Sequence, residues 1–168
     1  MVEISKIINY IIDFYIKFIY AIGYFSAIIV SLIILCVLYK QPFDLLFYVI
    51  GFTINNIINK YLKLVIKEER PNDPIKFFNN NYLNKNIASY GMPSGHSQNI
   101  FFSTAYFYLS TDKFVPWVLL CFIISIITVY QRWHFQNHTI LQLIIGGILG
   151  IISAYVIVLI RNYIKNKI

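Results

Sequence analysis

Residues 21–39 read AIGYFSAIIVSLIILCVLY, an uncharged apolar run long enough to cross a bilayer as one helix. Four further apolar runs follow at about 43–66, 96–111, 115–131 and 139–160. Pro42 and Pro116 stand near the starts of two of them, where the missing backbone N–H of proline removes no helical hydrogen bond. The pattern predicts an all-α fold, a polytopic transmembrane helix bundle.

The composition of the 168-residue chain excludes an ordinary soluble domain, because 58% of its residues are hydrophobic and only 12% are charged. Several spans of about 20 residues each use most of such a chain, so we expect a single domain over residues 1–168. The net charge of +7 comes from cations scattered between apolar runs. This distribution favours the membrane bilayer and phosphate groups as partners and argues against nucleic acid.

The bundle is expected to occupy residues 21–160. Residues 1–20 mix charged, isoleucine and aromatic side chains, which predicts an interfacial helix lying in the headgroup region. If this segment crosses the bilayer instead, the number of membrane helices rises from five to six. The polar interval 67–92 is rich in asparagine and contains Pro71 and Pro74, so it is predicted to be a loop outside the hydrocarbon.

The first polar motif joins Lys63 to Arg70 and Pro71 at the end of the second apolar run. The two cations are two helical turns apart, roughly 10 Å along the axis, and their long side chains can meet at one phosphate. A basic stripe that touches lipid headgroups is the alternative interpretation. The same predicted helix face carries Asn56, Lys60 and Lys67.

The second motif is Pro93-Ser94-Gly95-His96, directly before an apolar run. It predicts a turn that leads into a helix, whose free N–H groups and positive dipole end attract an anion. Ser94 can cap this helix or donate to a phosphate oxygen, Gly95 permits close backbone approach, and His96 would stand near a leaving group. An ordinary helix cap followed by an interfacial histidine is the alternative.

The third motif places Arg132 six residues before His138, across the turn between the fourth and fifth runs. Gln142 follows His138 by four residues, so the two side chains are neighbours if the last helix begins near His138. The amide oxygen would then bind one imidazole nitrogen and leave the other free to attack phosphorus. An interfacial histidine and a glutamine that packs between helices are the alternatives.

Tracing five spans places all three motifs at one membrane face, which favours a joint phosphate site over the separate alternatives. The opposite face receives several cations, and an excess of lysine and arginine marks the cytoplasmic side. The motif face is therefore predicted to be lumenal or extracytoplasmic. The cations assigned to the opposite face are Lys40, Lys113, Arg161, Lys165 and Lys167.

Taken together, the motifs resemble the signature of the type 2 phosphatidic acid phosphatase superfamily, written K-x6-R-P, P-S-G-H and S-R-x5-H-x3-D. Gln131 stands where this pattern has serine, and Gln142 stands where it has aspartate. The stretches 90–98 and 138–142 resemble the dolichyldiphosphatase branch, in which glutamine takes the place of that aspartate. The substitution is accordingly interpreted as the mark of a subfamily.

The resemblance implies an integral membrane enzyme that removes the terminal phosphate of a polyprenyl diphosphate without a metal or other cofactor. His138 would attack phosphorus to form a phosphohistidine, Gln142 would orient it, and His96 would protonate the leaving phosphate and then activate water. A broader lipid phosphomonoesterase, such as a phosphatidate phosphatase, and a non-catalytic headgroup-binding protein are the alternatives. In a eukaryotic-type member the endoplasmic reticulum is the expected membrane. The residues that would hold the phosphate oxygens are Lys63, Arg70, Ser94, Gly95 and Arg132.

Overall fold

The computed structural model describes residues 2–72, 90–111 and 116–167, and regular structure in this part of the chain is helical. The all-α prediction is confirmed. The interval 73–89 of the predicted loop, together with Lys113, lies outside the described residues. The helices are α1 (Val2–Leu38), α2 (Pro42–Ile66), α3 (Gly95–Ser110), α4 (Pro116–His134) and α5 (Ile140–Lys165).

Three of these helices are long and apolar enough to cross a membrane, namely Ile4–Leu38 in α1, all of α4 and all of α5. Helix α3 has only 16 residues. Helix α2 buries Asn55, Asn59 and Lys63 on its inner face, which lowers its apolar character. The count of five or six membrane helices therefore stays a prediction. In the described part of the chain, three helices are long and apolar enough to cross a membrane.

Helix α1 joins the two segments that the sequence distinguished, because it runs without a break from Val2 to Leu38. It is a single helix of 37 residues. The interfacial position of the first segment stays a prediction. The charges that suggested a separate interfacial segment, Asp13 and Lys17, form an exposed ion pair of 2.7 Å one turn apart. Such a pair supports a continuous helix. The bundle core begins at Tyr20, whereas nearly all of the described residues before it are exposed.

Helices α3 and α5 make the most extensive interhelical contact of the bundle. Two glycines of α5 permit it: a Cβ at Gly150 would lie 2.2 Å from Gln98 O, and a Cβ at Gly146 would lie 2.6 Å from Ser94 O. The small-x3-small spacing of these glycines thus serves close packing of helices. As a consequence, the turn that contains Ser94 lies directly against the first turns of α5.

A buried ion pair closes the end of the bundle where α2 begins and α5 ends. Arg161 Nη1 lies 3.3 Å from Asp44 Oδ1, and the two side chains are 8% and 5% exposed. Lys165 Nζ lies 4.0 Å from the same oxygen. The Tyr106 hydroxyl of α3 donates to Asp44 O at 2.5 Å. These contacts fix α2, α3 and α5 relative to one another at the end opposite the motifs.

Candidate active site

Hydrogen bonds connect the three sequence motifs at the other end of the bundle. Lys63 Nζ donates to Tyr90 O at 2.8 Å, which links the first motif to the residues before the second. The Ser94 N–H donates to Gln142 O at 3.1 Å. Gln142 Nε2 donates to Glu69 O at 2.8 Å. The structure therefore brings the predicted site residues together from α2, α3, α5 and the connecting turns.

His138 lies in the turn between α4 and α5 and is 2% exposed. Its Nδ1 is 3.0 Å from Gln142 Oε1. Because an amide oxygen only accepts, Nδ1 carries the proton and Nε2 has the lone pair that can attack an electrophile. A capping box at the start of α5 fixes this geometry: Thr139 Oγ1 accepts from Gln142 N at 3.2 Å, and Thr139 N donates to Gln142 Oε1 at 3.3 Å.

The environment of His138 favours the neutral imidazole. Burial lowers its pKa well below the ordinary 6.5, and the positive charges of Arg70, Lys63 and Arg132 lower it further, whereas the hydrogen bond to Gln142 raises it. At neutral pH the side chain is therefore uncharged, the form that a nucleophile requires.

Two acidic residues just before Arg70 hold the amide of Gln142. Its Nε2 donates to Glu68 Oε1 at 2.8 Å and to the backbone carbonyl of Glu69 at 2.8 Å. An antiparallel bridge between Glu69 and Tyr90, together with a 2.7 Å bond from Gly91 N to Glu68 O, brings Gly91 onto the amide. A Cβ at Gly91 would lie 2.4 Å from Gln142 Oε1, so glycine is required for this close approach.

His96 occupies the first turn of α3 and faces Arg132, whose Nη2 donates to His96 Nε2. The backbone of Tyr24 hydrogen-bonds the same imidazole. The Tyr24 ring lies 6.4 Å from the His96 ring and 5.8 Å from the Arg132 guanidinium carbon. Helix α1 thereby forms part of the wall of the site. The sequence predicted a catalytic role for His96 but no role for Tyr24, which lies inside an apolar run.

The backbone around Arg132 shapes the turn that leads to His138. The Arg132 carbonyl accepts from Asn137 N at 3.0 Å and from His138 N at 3.2 Å. The guanidinium Nη1 in turn donates to Asn137 Oδ1 at 3.4 Å. Arg132 and His138 are therefore held by one compact turn, as their spacing predicted.

The cations of the site are buried without a carboxylate partner among the described residues. Lys63 is 6% exposed and Arg132 is 4% exposed. In the described part of the chain, ion pairs within 4.0 Å involve only Asp13 and Asp44, neither of which pairs with these cations or with Arg70. Because buried charge is costly unless compensated, the site is suited to an anion.

The turn before α3 is held by an amide network from α2. Ser94 caps the helix, and its Oγ accepts from Ser97 N at 3.5 Å. Asn59 Nδ2 donates to Pro93 O at 3.3 Å and to Gln98 Oε1 at 2.7 Å. A Cβ at Gly95 would lie 3.1 Å from Asn59 Oδ1. Donation from Ser94 or Gly95 to a phosphate oxygen stays a prediction.

Besides Tyr24, three residues that position the site were missed by the sequence analysis: Asn59, Glu68 and Gly91. Asn59 lies one helical turn before Lys63, which was a usable signal. Glu68 and Gly91 lie within or beside recognised motifs, but their contacts with Gln142 cross between distant segments.

Gln131, which replaces the usual serine, packs against Gly23 of α1. A Cβ added at Gly23 would lie 2.6 Å from the Cβ of Gln131. Within the described residues neither amide atom of Gln131 has a hydrogen-bond partner.

A family model described as the PAP2 superfamily matches residues 44–166, which include all three motifs. Lipid phosphate phosphatase gamma of Arabidopsis thaliana is 29% identical over 123 residues, covering 67% of this chain and 51% of that protein. Dolichyldiphosphatase 1 of Dictyostelium discoideum is 28% identical over 134 residues, covering 74% and 55%. Dolichyldiphosphatase of Saccharomyces cerevisiae is 28% identical over 128 residues, covering 67% and 51%. The chain spans about half the length of the curated relatives it matches.

The fold is also similar to a solved structure, the crystal structure of the first transmembrane PAP2 type phosphatidylglycerolphosphate phosphatase from Bacillus subtilis. The TM-score is 0.67 at 19% sequence identity, with 94% of this chain and 78% of that chain covered. This similarity shows a shared helical architecture. The family match covers most of the chain and confirms the resemblance that the motifs indicated. The chain belongs to the PAP2 superfamily.

Proposed function

We propose that this protein hydrolyses the terminal phosphate of a polyprenyl diphosphate of the dolichyl type, through a phosphohistidine intermediate on His138. The observation that carries the proposal is the arrangement around His138: Gln142 binds its Nδ1 at 3.0 Å, and neighbouring buried cations have no carboxylate partner in the described residues. This arrangement supplies a nucleophile and compensation for negative charge. Two of the relatives are named dolichyldiphosphatases.

In the proposed first step, His138 Nε2 attacks the terminal phosphorus. The N–P bond forms as the bond from phosphorus to the bridging oxygen breaks. Polyprenyl phosphate leaves, and His96, which is proposed to take up a proton at Nε2 once the diphosphate has drawn Arg132 away from it, gives that proton to the leaving oxygen. In the second step His96 takes a proton from water, the resulting hydroxide attacks phosphorus, and the N–P bond breaks. Inorganic phosphate and the original His138 imidazole are the products.

The phosphate oxygens are proposed to bind Lys63, Arg70, Arg132 and the N-terminus of α3 at Ser94 and Gly95. The support is charge and burial. Arg70 Nε and Arg132 Nε are buried and have no hydrogen-bond partner among the described residues. A planar guanidinium binds two phosphate oxygens at once, and helix N–H groups add donors. Arg132 Nη2 binds His96, and a phosphate that bound this guanidinium would exchange a neutral acceptor for a charged one.

The test is phosphate release from a long-chain polyprenyl diphosphate by purified protein in EDTA. We expect release in wild type and a loss of roughly 10³-fold or more in His138→Ala, because the nucleophile is removed. His134→Ala is the matched control, since His134 is exposed and stacks on Tyr130 at 5.3 Å. An acid-labile phosphoenzyme should form in wild type and not in His138→Ala. Activity that requires a divalent metal, or that survives in His138→Ala, would contradict the proposal.

A second candidate keeps the chemistry and changes the lipid to phosphatidate or another phosphomonoester. The relative named lipid phosphate phosphatase gamma favours it. A panel that compares polyprenyl diphosphate, polyprenyl phosphate and phosphatidate at equal mole fraction in micelles separates the two. A higher kcat/KM for phosphatidate would establish the second candidate.

A third candidate is a non-catalytic role in which the protein binds lipid headgroups, and glutamine at position 142 favours it. This role would be established if no lipid in the panel gave either phosphate release or a phosphoenzyme.

The site is proposed to open toward the lumenal or extracytoplasmic side, in the endoplasmic reticulum for a eukaryotic-type cell. Lys40, Arg161 and Lys165 at the opposite end of the bundle support this orientation, because cations are enriched on the cytoplasmic side. Engineered glycosylation acceptors give the test. We expect modification of an acceptor inserted within residues 73–89 and none of an acceptor added after Lys165. The reverse pattern would place the site on the cytoplasmic side.

A further inference from the structure

The amide of Gln142 lies between the imidazole of His138 and the carboxylate of Glu68. We infer that Glu68 is a positioning residue for the nucleophile: its carboxylate fixes the Gln142 amide with the oxygen toward His138, and its negative charge acts on His138 through that amide. This role of Glu68 rests on the function proposed above, in which His138 is the nucleophile. The family pattern places a carboxylate at position 142 itself. Here the carboxylate stands one side chain farther away.

All four hydrogen-bonding positions of the Gln142 amide have partners that fit one orientation. The oxygen accepts from His138 Nδ1 at 3.0 Å and from Thr139 N at 3.3 Å. The nitrogen donates to Glu68 Oε1 at 2.8 Å and to Glu69 O at 2.8 Å. A flipped amide would point N–H groups at the Thr139 N–H and its oxygen at two acceptors. Glu68 is the charged member of this set, so it contributes most to the preference.

The charge of Glu68 is directed to the amide. Within residues 2–72, 90–111 and 116–167, no lysine or arginine nitrogen lies within 4.0 Å of the Glu68 carboxylate. Hydrogen bonds to a charged acceptor are stronger than neutral ones, and bonds in a chain polarise one another. The Glu68 carboxylate thereby makes Gln142 Oε1 a better acceptor from His138 Nδ1. This effect grows as His138 becomes positively charged in the phosphohistidine.

The pair also explains why position 142 carries an amide. A carboxylate there would lie within 2.8 Å of Glu68 Oε1, where two negative charges repel. An amide at 142 and a carboxylate at 68 are compatible. The exchanged arrangement restores the contact between these two side chains, but it also places a carboxylate oxygen of residue 142 against Glu69 O, to which Gln142 Nε2 donates at 2.8 Å. Glutamine and glutamate are nearly isosteric, so both arrangements fit the same space. The prediction is that the two positions are coupled.

Three variants of the full chain test the coupling: Glu68→Gln, Gln142→Glu, and both together. On the lipid that wild type hydrolyses best, each single change should lower kcat roughly 10- to 100-fold, with KM within about twofold, since an orienting partner acts on the chemical step. The double variant should have a higher kcat than Gln142→Glu alone, because the two side chains no longer repel each other, but a lower kcat than wild type, because the carboxylate at 142 still faces Glu69 O. Glu69→Gln is the matched control, because Glu69 binds Gln142 only through its backbone carbonyl. It should keep wild-type kcat.

A spectroscopic measurement tests the same contact without turnover. In ¹⁵N-histidine-labelled protein in detergent micelles, His138 should be an Nδ1–H tautomer in wild type and in Glu69→Gln. In Glu68→Gln its signals should shift toward a mixture of tautomers. Wild-type kcat and tautomer in Glu68→Gln would overturn the inference while leaving the phosphatase proposal intact. A double variant with no higher kcat than Gln142→Glu would overturn it as well. A tautomer change in Glu68→Gln of a protein without activity on any lipid phosphate would support the contact and refute the proposed function.

Discussion

At one end of the bundle Arg161 is buried against Asp44 at 3.3 Å, whereas at the other end Lys63 and Arg132 are buried without a carboxylate partner among the described residues. The three cations are alike in burial, with exposures of 7%, 6% and 4%. The difference is in the compensating charge. A buried cation that has its own carboxylate joins helices, while one without it leaves positive charge available to an incoming anion.

The carboxylates at the two ends show the same contrast. Asp44 forms an ion pair with Arg161 and lies near Lys165. Glu68 binds an amide instead, and that amide binds the histidine. The negative charge of Glu68 is one side chain away from His138, and it forms no ion pair with the nearby cations Lys63 and Arg132. The molecule thus separates a charge pair that stabilises the fold from charges that are available for chemistry.

The largest expected effect is on stability at the Asp44 end. Asp44→Asn leaves Arg161 as an uncompensated buried charge, which should lower the free energy of unfolding by about 3–5 kcal/mol. Equilibrium unfolding in mixed micelles measures it. The control is Asp13→Asn, since the exposed Asp13–Lys17 pair should contribute at most about 1 kcal/mol. Phosphatase activity per folded molecule should not change in either variant. Equal stability of Asp44→Asn and wild type would break the comparison.

The next effect is on activity at the motif end. Arg132→Lys keeps the charge but loses the planar fork that binds two oxygens, so kcat/KM should fall roughly 10²- to 10³-fold with little change in stability. Arg161→Lys is the matched control at the other end and should keep wild-type kcat/KM. Kinetics on the same lipid in the same micelles measure both. If the two substitutions lowered kcat/KM equally, the distinction between the two ends would be wrong.

The sequence predicted the helices well because apolar runs and polar motifs alternate clearly along the chain. Helix α3 begins at Gly95, one residue before its predicted start at 96. The two segments distinguished within residues 1–39 form one helix, Val2–Leu38, whose charged residues Asp13 and Lys17 pair with each other on an exposed face. Helices α4 and α5 extend beyond their predicted ends to His134 and Lys165. Helix ends depend on contacts that hydropathy does not report.

The site residues could be predicted where a role follows from local spacing. His138 and Gln142 are four residues apart at a helix start, so their contact follows from helix geometry. Glu68 could not be found in this way, because it is 74 residues from Gln142 and meets it only through the packing of α2 against α5. Tyr24 likewise reaches His96 from a different helix. Contacts between helices that are distant in sequence cannot be predicted from local spacing.

The smallest effect sharpens the comparison through pH. Since the pKa of His138 lies well below the ordinary 6.5, the unfolded chain binds more protons than the folded one between these two values. Stability should therefore decrease as pH falls below about 6.5, while His138 stays neutral and kcat/KM is preserved. Arg70→Gln removes one of the charges that lower this pKa, so the acid limb of kcat/KM should move to higher pH than in wild type.

Arg70→Lys is the matched control, because it keeps the charge and should keep the position of the acid limb. Both variants bind phosphate less well, so the profiles are compared after normalisation at pH 8. The lipid phosphate titrates identically in every assay and cancels in the comparison. If the pKa of His138 rose to its ordinary value, kcat/KM would fall about tenfold per pH unit below it, a difference of about 1.4 kcal/mol per unit. An acid limb unmoved in Arg70→Gln would mean that uncompensated cations at this end do not control the nucleophile.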